Sequence, residues 1–158
     1  MKILALLLIT GASAAAAPPP RIVAAAGHWA ALAGDGQCDA ASLSLLPASK
    51  TRLQGRASLT FDRSARNGLF AAALSKPVAP ASSVMLTIDD EQYLLLARGF
   101  GAWSRGPAQE AAITAAMRRA TRMRIEGRSV RGLRFIDRYD LAGAPTAIDA
   151  AAACAQGL

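Results

Sequence analysis

His28 is the only histidine in the chain, so any imidazole chemistry would rest on one side chain beside Trp29. Acyl transfer would also need a nucleophile and a carboxylate brought to it by folding, and the sequence has no Gly-x-Ser-x-Gly elbow. His28 therefore reads as a surface histidine at a strand end. Asp89, Asp90 and Glu91 offer the oxygen ligands that hard cations take, but three consecutive acids on a tight turn diverge and lack the spacing of a calcium loop. They read as a solvated turn. Gly99, Gly101 and Gly106 do not have dinucleotide-loop spacing, and two cysteines with one histidine make a poor zinc set. The sequence assigns no catalytic residue, cofactor or metal site.

The remaining chemistry is cationic. Arg118, Arg119, Arg122, Arg124, Arg128, Arg131, Arg134 and Arg138 crowd one stretch of a chain whose formal net charge is +7. Strand alternation puts Arg122, Arg124, Arg134 and Arg138 on a common outer side. Guanidinium forks match phosphate and carboxylate, so an anionic lipid or acidic glycan surface is the expected partner class. Glu126, Asp137 and Asp140 are the neighbours able to neutralise this face. Fifteen of the eighteen cationic residues are Arg, and part of that bias matches the coding habit of a GC-rich genome.

The first residues set the compartment. Lys2 precedes the apolar run 3–9, Thr10 and Gly11 break it, and Ala12-Ser13-Ala14 fits the small-x-small pattern of signal peptidase. Residues 1–16 are thus expected to be a signal peptide, cleaved near Ala14–Ala16. Seven apolar residues are too few to span a bilayer, and no later stretch is long enough. Export makes nucleic acid an unlikely partner and leaves the periplasm or the extracellular space. It also places Cys38 and Cys154 in oxidising surroundings, where an even count favours a disulfide.

Periodicity then supplies the elements that carry these residues. After a leader over 17–27, the chain reads as short strands: 28–33, 38–46 with Leu43 and Leu45 at period two, 57–62, and 69–74. Val84, Leu86 and Ile88 share a face, the turn 89–92 follows, and 93–97 returns. Pro107 opens a helix whose stripe is Ala112, Ile113, Ala116, Met117 and Ala120, with Glu110 and Arg118–Arg119 placed to suit the macrodipole. In the next strand Met123 and Ile125 face inward. A five-residue loop, 128–132, would lead to a strand presenting Leu133 and Phe135, with Ile125 opposite Phe135 and Glu126 opposite Arg134. That register avoids like charges directly across. Pro145 opens a closing helix with Ala147, Ile148, Ala151 and Ala152 inward. The sum is one α+β domain over 28–158, mostly antiparallel β: a sandwich-like sheet with two helices, one mid-chain to late and one C-terminal.

Ala115-Ala116-Met117-Arg118, Met123-Arg124-Ile125-Glu126-Gly127 and Tyr139-Asp140-Leu141-Ala142-Gly143 with Ala147 are similar to segments of the invasion-associated locus B family of exported bacterial proteins. The order Trp29, Cys38, paired strands and helix agrees with it. The resemblance covers about the last third of the chain. It implies a β-sandwich-like periplasmic or envelope protein without established enzymatic activity. The expected function is therefore non-catalytic surface binding of a protein partner or an anionic envelope component. A small periplasmic hydrolase or a purely structural role are the alternatives.

Overall fold

In the computed structural model residues 19–158 are described. The expected signal peptide and its cleavage site lie outside them. Ten strands and two helices follow in the order β1 (Arg21–Ala26), β2 (Trp29–Gly34), β3 (Gln37–Leu43), β4 (Arg56–Phe61), β5 (Leu69–Ala73), β6 (Val84–Ile88), β7 (Glu91–Arg98), β8 (Gly101–Trp103), α1 (Pro107–Arg119), β9 (Arg122–Arg128), β10 (Arg134–Asp140) and α2 (Ala144–Gln156). All strands join one antiparallel sheet, ordered β1-β2-β3-β4-β5-β8-β7-β6-β9-β10. The expected α+β class, mostly antiparallel β with one late and one C-terminal helix, is what the chain forms.

The inward faces supply one continuous core, from Trp29, Leu59, Phe61 and Phe70 through Leu86, Ile88, Ile125 and Tyr139 to Met117 and Ile148. Helix α2 lies on β1, β2 and β3, and Ala31 and Ala40 of the strands and Ala147 and Ala151 of the helix are all buried. Small side chains on both partners allow helix and sheet to approach closely. Cys38 of β3 is bonded to Cys154 of α2, with Cα atoms 6.1 Å apart, so the expected disulfide is present.

The ends of the strip meet at one corner. The Trp29 indole N–H donates to the Asp140 carbonyl at 2.9 Å, and the His28 amide to the Ala142 carbonyl at 3.1 Å. Beyond β3, the Leu45 amide donates to the Arg138 carbonyl at 2.8 Å, covering part of the open side of β10.

Several local expectations are corrected. The segment 17–27, read as a leader, contains β1, whose alanines pair with β2. A run of Ala carries too little hydrophobic contrast for period two to be seen. Leu43 faces solvent, 54% exposed, because Cys38 and Ala40 take the inward phase of β3, and Leu45, 52% exposed, lies beyond the strand's end. The β6–β7 turn is Asp89-Asp90 alone, with Ile88 paired to Glu91 and Asp89 at φ 47°. On α1 the buried stripe is Ile113, Thr114, Ala116 and Met117, without Ala112. Thr114 belongs inside because its hydroxyl donates to the Asn67 carbonyl at 2.7 Å.

The register of β9 and β10 also differs. Phe135 lies opposite Gly127, Ile125 opposite Asp137, Arg134 opposite Arg128 and Arg138 opposite Arg124. Leu133 stays in the connecting loop, 65% exposed. This register sets the Phe135 ring over Gly127, where a Cβ would lie a tight 3.1 Å from the ring. Exposed arginines can splay apart, so the like-charge opposition is the weaker constraint.

An arginine-lined cleft as the candidate functional site

Arg122, Arg124 and Arg128 alternate outward along β9, and Arg134 and Arg138 do so along β10. The two strands thus bring Arg122, Arg124, Arg134 and Arg138 to one face, each exposed. Two arginine pairs stand directly across from one another, Arg128 with Arg134 and Arg124 with Arg138. Their neutralisation is unequal. Glu126 takes a two-pronged hydrogen bond from Arg134, at 2.6 and 2.7 Å. That bond is the main reason the Glu126 carboxyl titrates below its ordinary range, and the nearby Arg124 and Arg128 charges add to it. Among the described residues, no carboxylate lies within 4.0 Å of the Arg122, Arg124, Arg128 or Arg138 guanidinium.

Arg122, Arg124 and Arg138 line a cleft of about 500 Å³ together with Leu45, Thr87, Asp89, Asp90, Met123 and Tyr139. Thr87 of β6 sits beside Arg124 in the ladder, so Thr87, Arg124 and Arg138 form one row across three strands. Asp89 is held at the rim by the backbone: its carboxylate accepts from the amides of Thr121 at 3.3 Å and Arg122 at 3.2 Å. Three guanidinium groups therefore face two carboxylates, one of them already used by main-chain donors. A bidentate acceptor such as phosphate or carboxylate matches what the row leaves unpaired.

The other sequence candidates are placed elsewhere. His28 is exposed, with Nε2 3.8 Å from the Asp140 carboxylate. Among the described residues no serine or threonine hydroxyl is hydrogen-bonded to it. Glu91 is paired with Arg119 and accepts the Tyr93 hydroxyl at 2.8 Å. The Tyr93 bond is the larger cause of its lowered pKa, with Arg119 second. Partial burial, followed by that same bond, pushes the Tyr93 phenol up to about 12. Asp89 and Glu91 are thus engaged locally, and no group of three His, Cys, Asp or Glu among the described residues is arranged to hold a metal.

One polar cluster escaped the sequence reading. Asp137 is 2% exposed and accepts the Ser75 amide at 2.9 Å. Beside it, the Ser75 and Tyr139 hydroxyls are buried without partners. Burial, then the Asp137 charge, pushes the Tyr139 phenol far above its ordinary value. The available signal was phase: residues 135, 137 and 139 share the inward face, so an acid at 137 had to go inside.

Comparison with protein-family models, curated proteins and solved structures finds no match to the chain.

Proposed function

We propose that this is an exported, non-catalytic envelope protein that acts by binding an anionic envelope component through its arginine face. One observation carries the reading: neither arginine of the Arg124–Arg138 pair has a carboxylate partner, while in the neighbouring pair Arg134 is bonded to Glu126. Like charges directly opposite each other are unfavourable, and a bound anion removes that repulsion. Export rests on the signal-like residues 1–16 and accords with the disulfide. No helix among the described residues is long and apolar enough to cross a membrane. The resemblance to the invasion-associated locus B family supports an envelope setting and a role without catalysis.

The test replaces Arg122, Arg124, Arg134 and Arg138 together by Gln. The variant keeps its disulfide and circular-dichroism spectrum but loses low-salt binding to anionic vesicles and acidic polysaccharide by at least about tenfold. Failure of the native protein to bind either anion would remove the proposal.

A further inference from the structure

Beside the cleft, the chain between β3 and β4 forms a stapled loop. The Ser44 amide donates to the Gly55 carbonyl at 2.7 Å, and the Gly55 amide to the Ser44 hydroxyl at 3.1 Å. The Gln54 side chain donates to the Ser44 carbonyl at 2.8 Å, and Ser49 and Arg52 pair across the loop. This framework fixes three leucines outward: Leu45, Leu46 and Leu53 are 52%, 44% and 57% exposed. Leu45 also lines the arginine cleft. Lys50 and Arg52 lie on the same loop, and the Lys76 ammonium bonds the Thr51 carbonyl.

Apolar side chains displayed in water next to unpaired cationic groups complement a surface that is anionic at its boundary and apolar beneath. A soluble acidic glycan would satisfy the arginines but leave the leucines in water. We infer that the anionic component is a phosphate-bearing lipid at a membrane surface, its phosphate held by Arg124 and Arg138 while Leu45, Leu46 and Leu53 enter the headgroup boundary. The inference rests on the arginine-face reading and names its ligand class. The loop acts as a preformed wedge, so binding needs little ordering of the chain.

The experiment measures flotation of the oxidised mature protein with vesicles of equal parts phosphatidylcholine and phosphatidylglycerol, and with phosphatidylcholine alone. Substituting Leu45→Ser, Leu46→Ser and Leu53→Ser together weakens binding to the mixed vesicles about tenfold and leaves binding to an acidic polysaccharide unchanged. Arg124→Gln with Arg138→Gln weakens vesicle binding about thirtyfold. The exposed positions of all five residues keep the fold intact, checked by circular dichroism. Native-like vesicle binding by the leucine variant overturns the lipid inference and leaves the arginine reading standing. So does displacement from vesicles by low millimolar inorganic phosphate, which would identify a free phosphate as ligand. Native-like binding by the arginine variant, or no binding of the native protein to vesicles or polysaccharide, overturns both.

Discussion

Gly27 and Gly143 press their backbones against one another, a contact that admits no side chain on either partner. A Cβ on Gly27 would fall 2.2 Å from the Ala142 carbonyl oxygen, and one on Gly143 would fall 1.8 Å from that of Ala26. Both residues also have positive φ, 53° and 88°. The β1–β2 turn and the start of α2 are thereby locked together. Gly143→Ala is expected to cost about 3 kcal/mol or more, combining left-handed strain with a backbone clash. Gly36→Ala is the control, since Gly36 has φ 71° with nothing near its missing Cβ. It is expected to cost only about 1 kcal/mol. Urea denaturation of both variants reads the difference, and equal losses would contradict the contact.

The disulfide closes a span of 116 residues. Chain entropy alone predicts that Cys38→Ala with Cys154→Ala lowers stability by about 4–5 kcal/mol. Equilibrium unfolding checks it, alongside thiol counting under denaturing, non-reducing conditions, where the native protein should show no reactive thiol.

Tyr139→Phe removes a buried hydroxyl that has no partner. Taking away an unsatisfied polar atom while keeping the ring is expected to be neutral or to stabilise by about 1 kcal/mol. A clear destabilisation would instead mean that the hydroxyl is held by an ordered buried water shared with Ser75 and Asp137.

Glu126→Gln separates the two arginine pairs. Without the carboxylate, Arg134 joins Arg124, Arg128 and Arg138 as a charge with no carboxylate partner, and affinity for anionic vesicles is expected to rise severalfold. The same carboxyl sets a pH effect. Its folded pKa lies below the ordinary 4.5, so its stabilising contribution is present above that value and disappears as pH falls through the folded pKa. The stability gap between the native protein and Glu126→Gln should therefore close on acidification. The pair is surface-exposed, so the effect is small and is best followed by NMR titration of the Glu126 carboxyl.

Much of this was readable from local pattern. Val84, Leu86 and Ile88 marked β6, Pro107 and Pro145 marked the two helix starts, and alternation placed Arg122, Arg124, Arg134 and Arg138 on the outer face. What escaped depends on contacts distant in sequence. The alanines of β1 become a strand only because β2 and α2 lie beside them. The β9–β10 register brings Phe135 over Gly127, a packing contact that no pairing rule for charges contains. Likewise, Leu45 lines the cleft beside a bond from its amide to the Arg138 carbonyl, a contact between residues far apart in sequence.

The position of the two cysteines also orders events in time. Synthesis delivers Cys38 well before Cys154, and the later thiol reaches its mate only when α2 settles on the alanines of β2 and β3. Until then Cys38 waits as an unmated sulfhydryl, open to exchange with any other thiol nearby. A full chain that stalls before its C-terminal helix docks carries both sulfhydryls free, a chemical flag of unfinished assembly.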